Sequence, residues 1–218
     1  MAEAAPVRVK VCGLTREADV DAAVSAGADA VGFISGFPDS PRNLSLERVR
    51  ELASRVPPLV SAVLVTTRET VALREPEVRR AGVGALQLYG DVPDPLSLRA
   101  SLGVRLIRPL LIGPEGARET LPSSLGFDAL LTDTLRPGMM GGTGVPADWA
   151  ACRRIRDAVL PLPTVLSGGL RPENVADGIR AVRPFAVDVS SGVESSPGVK
   201  DAARVAEFVR RAREASSR

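Results

Sequence analysis

Any proton chemistry in this chain has to be done without histidine. None occurs among the 218 residues, which removes Ser-His-Asp triads, Cys-His dyads and His-ligated metals. Acid–base work falls to Cys, Asp, Glu, Lys or Tyr. Cys12 is the first candidate. It follows Lys10-Val11 at the end of an apolar run and precedes Gly13. A thiolate there can take a proton or attack a carbon, although a free Cys is most often a small buried hydrophobe. Asp133 closes Leu130-Leu131-Thr132. A carboxyl at a buried strand end serves as a general acid if its surroundings keep it protonated, and otherwise caps a loop. Arg42, in Ser40-Pro41-Arg42, has the planar fork that grips a carboxylate, and its plainer reading is a solvated surface arginine. Asp188 either orients a substrate hydroxyl or braces its loop. Gln87, Tyr89 and Arg108 are further polar residues near strand ends.

Two turns suit an anion. Ser167-Gly168-Gly169 and Ser190-Ser191-Gly192 each follow an apolar run. Glycines let backbone amides approach a phosphate closely, and a following helix adds a favourable dipole. Either alone reads as an ordinary tight turn. At the ends of adjacent strands, the pair reads as a phosphate site. A third cluster, Gly141-Gly142-Thr143-Gly144, has the composition of a loop that closes over a site. Cys152 falls in an expected outer helix and reads as structural.

The elements that must position these residues alternate along the chain. Apolar runs predict strands at Val7–Cys12, Ala30–Ile34, Val60–Val65, Ala85–Leu88, Arg105–Leu110, Ala129–Thr132, Thr164–Leu166 and Ala186–Val189. Between them lie helical stripes: Val20, Ala23 and Val24; Val49, Leu52, Ala53 and Val56; Ala202, Val205, Ala206 and Val209. Thr15 and Ser45 are expected N-caps, and Pro172 is expected to open a helix. Gly27-Ala-Asp-Ala, Gly82-Val-Gly-Ala and Gly126-Phe-Asp-Ala repeat at helix-to-strand junctions. Eight such units point to a single-domain α/β fold over residues 1–218, a (β/α)8 TIM barrel; a doubly wound open sheet has the same periodicity. In a barrel, active-site residues and phosphate-binding turns sit at the C-terminal ends of the strands, the phosphate turns after strands 7 and 8.

Composition narrows the partners. Apolar residues make up 44% and aromatics only 3%, so Val, Leu, Ile and Ala must build the core. The net charge of +2 has no basic block behind it, which argues against nucleic acid. No apolar run is long enough for a membrane span, and Met-Ala-Glu-Ala-Ala-Pro lacks the plan of a signal peptide. Two cysteines give no disulfide framework, so a reducing cytoplasm is the expected setting.

Taken in order, the segments resemble the phosphoribosylanthranilate isomerase family of tryptophan biosynthesis. They are Val9-Lys10-Val11-Cys12-Gly13-Leu14-Thr15, Gly32-Phe33-Ile34, Ser40-Pro41-Arg42, Leu86-Gln87-Leu88 and Leu131-Thr132-Asp133. Gly141-Gly142-Thr143-Gly144 comes next, shortly before Asp148-Trp149. Leu166-Ser167-Gly168-Gly169-Leu170 with Pro172-Glu173-Asn174-Val175, Val187-Asp188-Val189-Ser190-Ser191-Gly192-Val193-Glu194 and Gly198-Val199-Lys200-Asp201 complete the set. The resemblance implies conversion of N-(5-phosphoribosyl)anthranilate to 1-(2-carboxyphenylamino)-1-deoxyribulose 5-phosphate. This is an Amadori rearrangement without a cofactor or metal. It also implies Asp133 as general acid, Cys12 as general base, Arg42 near the anthranilate carboxylate and the glycine turns as the phosphate grip. Gln87 and Asp188 are the further candidates for contact with substrate. A monomer and a homodimer both suit the barrel. The chain departs from the family's usual pattern at Tyr89, where histidine is common, and at Ser35, a frequent Phe. The Gly32–Arg42 segment is about one residue longer, and Arg136-Pro137-Gly138-Met139-Met140 has no assigned role.

Two other functions share these features. One is a related ribonucleotide isomerase of histidine biosynthesis or of dual specificity, which would favour a carboxylate at position 12. The other is a phosphate-ligand-binding barrel without turnover, which leaves Cys12 and Asp133 unexplained.

Overall fold

Eight parallel strands close on themselves: β1 (Arg8–Val11), β2 (Ala30–Ile34), β3 (Ser61–Thr67), β4 (Ala85–Tyr89), β5 (Arg105–Ile112), β6 (Ala129–Arg136), β7 (Thr164–Leu166) and β8 (Ala186–Val189). The structure, a computed structural model, describes residues 6–112, 126–136, 139–140 and 148–216. Each strand pairs with the next, β5 joins β6, and β8 returns to β1. Closure leaves no open barrel edge and excludes the doubly wound sheet. The eight strands coincide with the eight apolar runs, with small shifts at their ends. Among the described residues the helices are α1 (Glu17–Ser25), α2 (Leu46–Ala53), α3 (Arg68–Arg80), α4 (Pro95–Leu102), α5 (Trp149–Val159), α6 (Val175–Val182) and α7 (Ala202–Ser216). None is long and apolar enough to cross a membrane.

Alternation along the strands sorts the side chains into two cores. Val9, Val11, Phe33, Leu64, Leu86, Leu130, Leu166 and Val187 belong to the large cluster shared with the helices. Leu131, Val165 and Ala186, with Ile107 against them, form a separate small cluster. The second set has the opposite parity, so it fills the barrel interior. Every strand residue of that parity nearer the C-terminal end is then directed into the barrel mouth. This one rule fixes where the polar candidates point.

The helices cover the outer face through apolar stripes. In α6, Val175, Gly178, Ile179 and Val182 are buried. Gly178 lies against Leu166 and Trp149, where a Cβ would be 3.2 Å from the Leu166 side chain. In α7 the buried stripe is Val205, Phe208, Val209 and Ala212. Ala202 and Ala206, expected on that face, are exposed. Phe208 draws the stripe toward itself, since burying a large side chain contributes about 1.5–3 kcal/mol.

The junction repeats have a physical basis. Gly27, Gly82 and Gly126 all take positive φ. Behind two of them, Asp29 accepts the Val9 amide at 2.7 Å and Asp128 accepts the Leu106 amide at 2.9 Å. Each carboxylate ties the start of its own strand to the preceding one. Ser45 caps α2 by accepting from the Arg48 amide at 3.1 Å. Two expectations are corrected. Arg16, not Thr15, is the N-cap of α1, and the Thr15 hydroxyl donates to the Gly198 carbonyl at 2.6 Å. Pro172 lies in a turn, and α6 begins at Val175 behind Asn174, whose amide donates to the Gly169 carbonyl at 3.0 Å.

Candidate active site

Lys10 and Cys12 stand two residues apart on β1 and its exit, on the inward parity, and both are buried. Gln87 enters from β4 and Asp188 from β8 with the same parity. Lys10 Nζ donates to Asp188 Oδ1 at 2.9 Å and to Gln87 Oε1 at 3.0 Å, and Cys12 is its neighbour on the same inward face. The chain of contacts runs on at both ends. Ser167 Oγ donates to Asp188 Oδ2 at 3.3 Å, and Gln87 Nε2 donates to the Tyr89 hydroxyl at 3.2 Å. The Tyr89 ring meets Phe37 edge-on, with centroids 5.5 Å apart. A polar belt therefore crosses the barrel below its mouth.

Asp133 comes up from β6 with the parity of Leu131 and is buried. Going round the barrel through β8 and β7, β6 is three strands from β1. Asp133 and Cys12 thus enter the interior from well-separated strands, and the carboxylate is near enough to Tyr89 to act on its phenol.

Arg42 does grip a carboxylate within the chain. Its Nε and Nη2 donate to Glu194 Oε1 and Oε2 at 2.7 and 2.6 Å. Lys200 Nζ, fully buried, donates to Glu194 Oε1 at 2.7 Å and to the Ser190 carbonyl at 3.1 Å. Glu194 takes one edge of the guanidinium fork. The other edge, through Nη1, makes no hydrogen bond among the described residues.

The two glycine turns meet backbone to backbone. A Cβ on Gly192 would run into the Leu170 carbonyl, so only glycine lets the turn after β8 lie against the turn after β7. Gly168 and Gly169 have φ of +89° and +64°, which turns successive amides to one side. Arg204 pins the second turn by donating to the Gly192 carbonyl at 3.0 Å. Ser167 is drawn away: its amide donates to the Thr132 carbonyl at 2.9 Å and its hydroxyl to Asp188.

Burial and neighbouring charges set the titrations. Burial pushes the Cys12 thiol up, Lys10 pulls it back, and the net direction is upward. Lys10 remains an ammonium: burial opposes the charge, but Asp188 overrides it. Burial and Asp133 together hold the Tyr89 phenol protonated. For Glu194 burial works against the charge, but Arg42 and Lys200 win and hold it below the usual carboxylate value. Cys152 is fully buried against Thr132, and burial pushes it up to about 11.

Sequence reasoning missed Lys10, Glu194 and Lys200. A lysine inside an apolar strand run was the available signal for Lys10. Glu194 pairs with Arg42 across 152 residues of chain and with Lys200 six residues on, and no local pattern carries the long-range pair. Arg108, noted as a strand-end polar residue, has the outward parity, with its guanidinium over the Phe127 ring at 5.2 Å. The Gly141-Gly142-Thr143-Gly144 cluster and Pro137-Gly138 lie outside the described residues. A surface depression lined by Leu96, Arg99, Gly103 and Arg105 is at the opposite, N-terminal end of the strands. Its two arginines are both engaged by Asp128. It is no rival to the mouth.

A closed parallel barrel that carries polar and ionisable side chains at the C-terminal ends of its strands places the chain among (β/α)8-barrel enzymes. A family model described as N-(5′-phosphoribosyl)anthranilate isomerase matches residues 9–211. The protein of that name from Halobacterium salinarum is 46% identical over 211 residues, 94% of this chain and 95% of that protein. The crystal structure of phosphoribosyl anthranilate isomerase from Thermotoga maritima has a TM-score of 0.81 at 37% identity, covering 95% of this chain and 99% of that one. A second structure, the isomerase in complex with reduced 1-(o-carboxyphenylamino)-1-deoxyribulose 5-phosphate, has a TM-score of 0.78 at 36% identity with the same coverage. The chain belongs to the N-(5′-phosphoribosyl)anthranilate isomerase family.

Proposed function

We propose that this protein is an isomerase of tryptophan biosynthesis that converts N-(5-phosphoribosyl)anthranilate to 1-(2-carboxyphenylamino)-1-deoxyribulose 5-phosphate. The observation that carries the reading is the placement of Cys12 and Asp133. Both are buried and inward-facing at the C-terminal ends of strands, in a chain of this family.

The reaction needs one proton delivered and one removed. Asp133, as general acid, gives a proton to the ribose ring oxygen. The C1′–O bond breaks and the anthranilate nitrogen becomes an iminium. Cys12, as thiolate, takes the C2′ proton. The electrons of that C–H bond form the C1′–C2′ double bond, and those of the C=N bond return to nitrogen. The enolamine then tautomerises to the ketone. No electrons leave the molecule, so no cofactor is called for.

The remaining residues orient the substrate. The second edge of Arg42 is directed at the anthranilate carboxylate, with Glu194 holding the first. Gly168, Gly169, Ser190, Ser191 and Gly192 supply the phosphate grip, while Ser167 acts on Asp188. Asp188 and Gln87 face the sugar. The test is the decay of anthranilate-type fluorescence when purified protein meets freshly generated phosphoribosylanthranilate. Decay at an enzymatic rate supports the reading. Its absence with folded protein would move the substrate to a related ribonucleotide.

A further inference from the structure

Lys10 enters the barrel interior at the border between its small apolar cluster and the polar belt. Val63, Ala85, Leu131, Val165 and Ala186, of the same inward parity, are buried and uncharged. An ammonium only 4% exposed is costly unless its partners are well placed. Two of its N–H groups are held by partners on two other strands, Asp188 of β8 and Gln87 of β4. Those two would suffice as a brace between strands. Cys12, two residues further on and buried on the same inward face, brings its sulfur beside the clamped ammonium.

We propose that Lys10 is a positioning residue for the base: clamped between Asp188 and Gln87, its ammonium fixes the Cys12 sulfur and supplies the fixed counter-charge that the thiolate needs. This rests on the reading of Cys12 as the group that takes the C2′ proton. The thiol first gives its proton to solvent, leaving S⁻ beside Lys10. S⁻ then takes the substrate proton and becomes S–H, and Lys10 keeps its own three protons throughout.

Other charged and titratable groups also face the sulfur. Asp188 opposes the thiolate, Lys200 and Arg42 favour it, and Tyr89 stays neutral. Arg42 and Lys200 are both engaged by Glu194. Among these cations Lys10, two residues away on the same inward face, acts most strongly on the sulfur.

The test is the titration of Cys12 by ultraviolet thiolate absorbance in the full chain. A Cys152→Ala background makes Cys12 the single thiol. Lys10→Met is expected to raise the midpoint by about one pH unit or more, which is at least about a tenfold loss of thiolate near neutral pH. The acid limb of the kcat/KM profile should move by the same amount. Lys10→Arg, which keeps the charge, is expected to recover most of that shift. A folded Lys10→Met protein with an unmoved midpoint overturns the proposal, even if activity falls, because a brace alone would do that. If Lys10→Met does not fold, Asp188→Asn is compared with Lys10→Met/Asp188→Asn, which leaves no orphaned carboxylate. A higher midpoint in the double variant supports the proposal, and equal midpoints overturn it. The titration needs no substrate, so it is read independently of which substrate the enzyme turns over.

Discussion

A Cβ on Gly32 of β2 would lie 2.7 Å from the sulfur of Cys12 and 3.2 Å from its Cα. The φ of Gly32 is not in the left-handed region, so what this position requires is space. The missing side chain is the seat of the thiol. Gly32→Ala should force the sulfur out of its place beside Lys10. A displacement of about 1 Å at a reacting group costs on the order of 100-fold in rate, and overpacking costs about 1–3 kcal/mol in stability. Steady-state kinetics beside a thermal melt would check this. Wild-type kcat in Gly32→Ala would show that the seat is not needed.

Glu194 is expected to govern substrate binding through Arg42. In Glu194→Gln, Arg42 and Lys200 lose their shared carboxylate, and KM should rise more than kcat falls. Stability should change with pH in a defined direction. The folded carboxylate loses its proton more readily than the unfolded one, so the unfolded state binds more protons in that window and stability rises with pH. The advantage of wild type over Glu194→Gln should be full above the ordinary glutamate value and vanish as pH falls through the lowered one. Urea unfolding across an acidic pH series measures it. A pH-independent difference would mean that the ion pairs are not its source.

Cys152 should matter to alkaline stability and little to turnover. Its thiol is raised from 9.0 to about 11 in the fold. Between those values the unfolded chain has lost the proton and the folded chain keeps it, so stability falls as pH rises. The full shift corresponds to about 2–3 kcal/mol. Cys152→Ala should flatten that part of the stability curve and leave kcat near wild type. A loss of turnover comparable to that of a Cys12 variant would put Cys152 in the chemistry.

Most of the barrel was legible because strands buried on both faces are written as apolar runs, and all eight lie where those runs predict. What was not legible depends on contacts made later. Thr15 has the side chain of an N-cap but is drawn off to Gly198. The α7 stripe turns toward Phe208, which a count of small apolar residues passes over. Cys12 and Asp133 could be picked out because each ends an apolar run. The pairing of Arg42 with Glu194 joins loops after β2 and β8, and only barrel closure brings them together. Lys10 was visible in the sequence, but its importance needed the parity of β1 and the two partners from β4 and β8.

In the proposed function Cys12 and Asp133 are the base and the acid of one isomerisation. The most direct measurement is the fluorescence decay of phosphoribosylanthranilate with wild type, Cys12→Ser and Asp133→Asn side by side. Each protein should first be shown to be folded. Rapid decay with wild type and at least about a 100-fold lower rate with each variant is the expected result, on the scale of general acid–base contributions. Near-wild-type turnover by either folded variant would contradict the role given to that residue.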